Sequence, residues 1–289
     1  MSQRDTYIDK LRIFAIFSVV CAHAASIDEG ASQANVIASM LLGCVSAMGV
    51  PLFFIISGYL YEKTSKSFVE FWLSRFKMMI VPWLFCETGL WLYVVLRKGG
   101  ITFFNWLKFV IGYQSTAYYL TLLILFYILF WKVKKVRWIL FGAAGLSAIQ
   151  IICTGWNIQP LAGLSGIFGT AYLNPFHFMI YFCVGILIGS YNIWDVLIEK
   201  SAKYLPVSMP CLIAMIILHI QKGWEFSYFS QYTLLNTFLS TITIMGIAWW
   251  MQRNQWNGLD VVGKWSFSIY LLHQFVVGFI VWLTRPIDI

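Results

Sequence analysis

The sequence predicts an all-α fold: a polytopic transmembrane helical bundle of about nine spans, forming one membrane-embedded domain over residues 1–289. Three observations carry this. Hydrophobic residues make up 60% of the chain and charged residues 11%, where soluble domains run near 45–50% and about 25%. The mean hydropathy is +0.75. Apolar runs of span length recur along the chain, and at about 20 residues each, nine spans use roughly 180 residues. That leaves only short loops and no sizeable soluble domain.

Taken in order, the apolar runs place spans over 7–25, 35–60, 78–96, 117–132, 137–153, 176–191, 206–221, 232–251 and 266–284. An amphipathic lead-in from Phe68 precedes the third. Residues 101–112, aromatic with a single lysine, read as a short helix lying in the interface. Residues 154–175 are punctuated by Gly and Pro and carry no charge, so they are expected to fold back against the protein at membrane depth.

The net charge of +8 does not point to nucleic acid. The basic residues sit in short clusters between apolar runs and do not line a face interleaved with aromatics. They are topogenic. With the N-terminus inside, the inner segments hold Arg4, Lys10 and Arg12, then Lys63, Lys66, Arg75 and Lys77, then Lys132, Lys134, Lys135 and Arg137, then Lys200 and Lys203, then Arg253 and Lys264. The outer segments hold only Arg97, Lys98, Lys108, Lys222 and Arg285. This asymmetry predicts a cytoplasmic N-terminus and an external C-terminus. Ala22-His23-Ala24 resembles a signal-peptidase site, yet Asp9, Lys10 and Arg12 interrupt the apolar run before it, so residues 1–24 are expected to be retained. The six cysteines lie in or beside apolar segments without metal or disulfide spacing, and read as reduced thiols packed as small hydrophobes.

Ionisable groups inside a span cost roughly 2.5–3.5 kcal/mol at mid-membrane, so each needs a reason. Arg12 and His23 are eleven residues apart, about 20° past three helical turns and roughly 16 Å along the axis, and so share one face of the first helix. A guanidinium at the mouth suits an anion such as a phosphate, and an imidazole deeper in suits proton abstraction from a hydroxyl. A snorkelling topogenic arginine and a hydrogen-bonded interhelical histidine fit the same spacing. The second span ends in VPLFFIISGYL, where Ser57-Gly58 admits a neighbouring backbone or a slender ligand. Arg75 and Lys77, with Lys63 and Lys66, form a basic patch before Pro82 that suits a polyanionic cofactor or plain topogenic charge. Glu87 is an isolated carboxylate in the third span. Tyr118 and Tyr119 open the fourth at its outer end, where an aromatic belt accounts for them. His273, in SIYLLHQ, is a second intramembrane histidine, whereas His177 and His219 are expected at the interface. The four histidines share no metal spacing, and no HExxH, phosphate loop or G-x-S-x-G elbow occurs.

The segments YIDKLRIFAIFSVVCAHA, VPLFFIISGYL, RFKMMIVPW, YYLTLLILFYI, FHFMIYFCVGILIGSY and SFSIYLLHQF occur in the order found in the acyltransferase-3 family, and the chain resembles that family over nearly its whole length. The family comprises integral-membrane O-acyltransferases of bacterial cell-envelope glycans. The most specific elements are the Arg12–His23 pair, preceded by Asp9 in a D-x-L-R pattern, and the SGYL helix end. The resemblance implies transfer of an acyl group, foremost acetyl, from cytoplasmic acyl-coenzyme A (acetyl-CoA) to a hydroxyl of an envelope glycan or lipid-linked sugar, without a metal.

By the same resemblance, His23 and Arg12, with Asp9, correspond to the catalytic motif. Arg12, Arg75, Lys77 and Ser57 correspond to the donor site, and Tyr118 and Tyr119 fall near the acceptor, where His273 and Glu87, as ionisable groups within spans, are further candidates for substrate binding. Where this chain has two tyrosines the family usually has an aromatic pair including Trp. The family usually has about ten spans, so the chain is expected to lack a final helix, and no appended esterase-like domain is expected. The implied setting is the cell (inner or plasma) membrane, with the bilayer and the glycan acceptor as partners, homo-oligomers compatible with it, and no nucleic acid. Two other classes fit the residues alone: a translocation module using the same Arg and His as a relay, and a structural scaffold.

The orientation has a direct check. A tag placed before Met1 should be shielded from antibody on intact cells and still present on the mature chain. Surface labelling, or a mature chain starting at Ala25, would reverse the assignment.

Overall fold

The computed structural model describes residues 6–24, 33–113, 115, 117–222 and 227–284. These residues form a bundle of α-helices with no strand among them. The helices are α1 (Thr6–Ala24), α2 (Gln33–Ser46), α3 (Gly49–Glu62), α4 (Phe68–Arg75), α5 (Val81–Lys98), α6 (Phe103–Val110), α7 (Tyr118–Phe130), α8 (Arg137–Gly155), α9 (Met179–Ser190), α10 (Trp194–Lys222), α11 (Thr233–Arg253), α12 (Asp260–Lys264) and α13 (Ser266–Thr284). Five stretches are long and apolar enough to cross a membrane: Asn35–Glu62, Phe68–Leu96, Arg137–Gly155, Trp194–Gln221 and Thr233–Arg253. Three shorter apolar helices, Tyr118–Phe130, Met179–Ser190 and Ser266–Ile280, and the charged α1 complete the nine expected segments. Arg4, Arg285 and the chain end after Pro286, on which the charge count and the missing-helix expectation bear, lie outside the described residues.

Two spans, the second and the seventh, differ from expectation, while the third starts at its amphipathic lead-in. The second is broken at Ala47–Met48, between α2 and α3. Gly49 sits so close to α1 that a Cβ there would lie 2.6 Å from the Ala15 carbonyl oxygen, and Pro51 supplies no N–H to the turn before it. The carbonyls freed at the break are taken up by other elements. Ser18 Oγ donates to Val45 O (2.5 Å) and Ser46 O (3.1 Å), and the Tyr228 hydroxyl donates to Ser46 O (2.7 Å). The third span is one continuous helix from Phe68. It starts at a Ser67–Glu70 capping box and passes a π-helical turn, Phe76–Ile80, that absorbs Pro82. The seventh begins at Trp194, twelve residues before its apolar run, because Asp195, Glu199, Lys200 and Lys203 extend the same helix beyond the apolar layer. Between its prolines 206 and 210, Ser208 accepts a hydrogen bond from Thr243 of α11 at 3.1 Å.

α6 has the exposed aromatic face expected of an interfacial helix, with Phe103 and Phe104 outward and Phe109 and Val110 inward. The uncharged loop after α8 folds into three short 3₁₀ turns, Leu161–Phe168, Ala171–Leu173 and Pro175–His177. His177 does not face an interface. It is buried in this loop, Nε2 on Thr154 Oγ1 (2.9 Å) and Nδ1 on the Ala171 carbonyl (3.0 Å). Burial pushes its pKa below the ordinary value, so the loop holds the neutral ring and this docking weakens as pH falls below about 6.5. All six cysteines are free, but Cys211 is exposed on α10 and Cys86 is half-buried, so four of the six are packed inside.

Helices α3 and α9 form the most intimate pair. The backbone of α9 lies directly over Gly58, whose Cβ would overlap the Phe182 carbonyl, and Gly185 stands in the same relation to Ile55. At the end of the bundle bearing the basic loops, cations reach across helix C-termini. Lys134 donates to Tyr61 O (3.1 Å), Arg137 to Ser190 O (3.3 Å) and Lys63 to Asn192, while Lys135 pairs with the buried Glu62 at 2.6 Å. The deepest ion pair belongs to α1. Lys10 Nζ, side chain 1% exposed, reaches Asp260 Oδ1 (2.8 Å), Trp256 O (3.0 Å) and Asn257 Oδ1 (3.4 Å), clamping α12 to α1. Gly263 completes the clamp by lying against the Asp9 backbone.

Two stability outcomes follow. Gly58→Ala should cost about 1–3 kcal/mol through overpacking against α9, read as a lower thermal midpoint in detergent. Lys10→Ala should cost about 3–5 kcal/mol by stranding Asp260, while Lys10→Met with Asp260→Leu should recover most of it. A Lys10→Ala protein as stable as the parent would mean that the clamp does not hold α12.

Candidate active site

α1 carries Asp9, Arg12 and His23, and its turns distribute them to different environments. Asp9 is buried and accepts from Arg12 Nη1 at 3.3 Å, one turn away, which steers the guanidinium while leaving it 28% exposed. Arg12 opens into a cavity of about 270 Å³. Arg75 lines the same cavity from the end of α4, its guanidinium 5.1 Å above the Phe71 ring and 5.3 Å from that of Tyr127. Lys264, brought there by the Lys10–Asp260 clamp, is the third cation of the lining. Ser57, Tyr119 and Tyr270 form its inner wall, with the Ser57 and Tyr119 hydroxyls 3.1 Å apart.

Thus the Ser57-Gly58 pair divides its work: Gly58 admits the α9 backbone and Ser57 faces the cavity. Lys77, past the start of the π turn, is exposed and lines neither this cavity nor the next. Lys66 bonds Ser74 at 3.1 Å and Lys63 bonds Asn192, so of the basic patch Arg75 alone enters the lining.

The other end of the α1 face opens into a second cavity of about 340 Å³ lined by His23. Six tyrosines surround it: Tyr113, Tyr118, Tyr119, Tyr172, Tyr228 and Tyr270, with Ser115, Thr170 and Ser227 among them. Tyr119 and Tyr270 line both cavities, their ring centroids 5.6 Å apart and nearly perpendicular, so one layer of side chains separates the cations from the imidazole. Tyr118 and Tyr119 are therefore not belt residues. Tyr119 is buried in this partition, and Tyr118 packs on Tyr172 and Phe178. Burial keeps the Tyr228 phenol well above its ordinary range, a neutral donor fixed on the helix break.

His273 lies behind His23, ring centroids 4.9 Å apart, and is buried. Glu87 is also buried and lines neither cavity, with Ser115 as its polar neighbour on the rim of the second. Among the described residues, no three His, Cys, Asp or Glu side chains group as a metal site.

Reasoning from sequence missed Lys264, which reads as one more inside charge, and Tyr270, Tyr172, Tyr113 and Tyr228. Their types are ordinary for a membrane protein, and only the fold makes them converge. The signal that was available for Lys264 is its place two residues before α13, at the end of the chain's last inside loop.

A family model described as an acyltransferase domain matches residues 5–286 of the chain. No curated protein and no solved structure matches the chain.

Proposed function

The chain belongs to the acyltransferase-3 family, and on that premise we propose that it transfers an acetyl or other short acyl group from acyl-coenzyme A to a hydroxyl of a cell-envelope glycan or lipid-linked sugar. The observation that carries the reading is the pair of cavities meeting at Tyr119 and Tyr270, cationic on one side and tyrosine-lined with an imidazole on the other. Arg12, Arg75 and Lys264 are suited to the phosphates of the donor, the two guanidinium groups by paired donors. The donor side faces the cytoplasm in this reading, as the Lys and Arg asymmetry requires. The tyrosine cavity suits an acceptor with hydroxyls and apolar ring faces, since each phenol offers a flat apolar surface and a polar tip. A multi-pass protein of the cell membrane then leaves the charged nucleotide on one side while the thioester end of the donor reaches through the partition to His23 and the acceptor.

In the reaction, His23 takes the proton of the acceptor hydroxyl as its oxygen attacks the thioester carbonyl. The new C–O bond forms, the C–S bond breaks, and the imidazolium returns the proton to the departing thiolate. Asp9 orients Arg12 and touches neither reactant. Since His23 must be neutral to act, transfer fails at acid pH.

Transfer of labelled acetyl from acetyl-CoA to isolated envelope oligosaccharides, by detergent-purified protein, tests this. His23→Ala should lose about a hundredfold or more in rate, the scale of general base catalysis, with donor binding and thermal stability retained. Arg12→Lys and Lys264→Ala should instead weaken donor binding by about tenfold each, the scale of a lost charge-assisted hydrogen bond. A well-folded protein that binds acetyl-CoA without consuming it would reject acyl transfer in favour of a translocation module.

A further inference from the structure

Resting on the reading of His23 as the base, we propose that His273 is its positioning residue: the Nε2 lone pair of His273 accepts the N–H of His23 and so decides which His23 nitrogen faces the acceptor hydroxyl. His273 is not in the lining of the tyrosine cavity, whereas His23 is, so His23 stands between His273 and any acceptor. The two rings are 4.9 Å apart at their centroids and tilted by 42°, close enough for rotation of the half-buried His23 side chain to bring facing nitrogens to hydrogen-bond distance.

The state of His273 follows from its other nitrogen. Nδ1 lies 2.6 Å from the Tyr270 carbonyl, which has only lone pairs to offer, so Nδ1 carries the hydrogen and donates it. In a neutral ring that leaves Nε2 as a bare lone pair. This Nε2 is sealed from the surface and has no hydrogen-bond partner among the described residues. A buried acceptor with no donor is a standing cost that native proteins rarely carry without a purpose. Of the ionisable groups on helices packed against α13, Arg12 and Lys264 line the other cavity, Asp260 holds Lys10, and Glu87, beside Ser115, keeps one buried carboxylate oxygen without a partner among the described residues. His23 is the ring that can supply the missing donor.

The consequence for the chemistry is a fixed tautomer. His23 keeps one N–H on His273 and turns its other nitrogen, unprotonated, to the cavity. When it takes the acceptor's proton, both nitrogens carry hydrogens and the one facing His273 is already bonded. No proton moves to His273. The arrangement resembles the role of the carboxylate in hydrolase triads, with a neutral partner in place of a charged one. A neutral partner avoids a further charge in the membrane interior.

The test compares His273→Gln, whose amide oxygen falls near the position of Nε2, with His273→Leu, which fills the space without an acceptor. The rate of acetyl transfer from acetyl-CoA to envelope oligosaccharides and the KM for the donor are both read. His273→Leu should lose roughly a hundredfold in kcat, the scale of a misoriented base, with donor KM and thermal midpoint unchanged. His273→Gln should stay within about tenfold of the parent. In a His23→Ala background, His273→Leu should cost nothing more, since two residues acting as one unit are not additive. A packing role predicts the reverse order, because leucine is the better tolerated in an apolar bundle. Leu matching or exceeding Gln in kcat would therefore overturn the proposal. Should His273→Leu not fold, His273→Phe carries the same comparison. If His23→Ala retains transfer, the base reading itself falls. If His23→Ala is inactive and His273→Leu is fully active, only this inference falls.

Discussion

The polar groups carried by α1 lie within the bundle, where each is either paired or opened to a cavity, and the architecture is arranged around those answers. Asp9, Lys10, Arg12, Ser18 and His23 all sit on one helix that contacts α2, α3, α11, α12 and α13. Lys10 is answered by Asp260 and two loop acceptors, which brings α12 down. Ser18 is answered by the carbonyls exposed where α2 gives way to α3. Arg12 is held by Asp9 and then left open to a cavity, and His23 reaches a second cavity with His273 behind it. A helix polar enough to be costly in lipid thus becomes the central post of the fold, since only the interior offers it partners.

The basic residues serve twice. Their distribution is what a topogenic signal requires, and the same side chains join the ends of helices. Lys134 and Arg137 donate to the terminal carbonyls of α3 and α9, and Lys135 neutralises the buried Glu62. A cation at a helix C-terminus satisfies orphan carbonyls and opposes the helix dipole. Lys264 shows the division most sharply. It is one more positive charge in a loop by count, and a wall of the cationic cavity by position, because the Lys10–Asp260 pair sets the height of α12.

The partition between the cavities depends on backbone features remote from it. Gly58 and Gly185 let α3 and α9 touch backbone to backbone, which presents Ser57 to Tyr119. The break before Pro51 frees a carbonyl for Tyr228, whose ring then walls the tyrosine-lined cavity. The 3₁₀ loop held by His177 brings Thr170 and Tyr172 to the same wall. Gly58, Gly185 and His177 line neither cavity, yet the walls of both depend on them.

The sequence by itself determined the membrane class, the number and order of the apolar segments, and the Arg12–His23 face, because composition, run length and helical period are local quantities. It also carried the family. Tertiary structure alone decided that Arg12 and His23 open into different cavities, that Arg75 enters the lining while Lys77 lies outside it, and that Tyr118 and Tyr119 belong inside the bundle. It decided too that the span over 35–60 is broken and that α10 extends well beyond its apolar run. The reason is physical. In a chain whose helices are apolar on nearly every side, no polar face marks which way each one turns. Orientation is then settled by backbone approach at glycines and by pairings such as Lys10 with Asp260, between residues far apart in the chain.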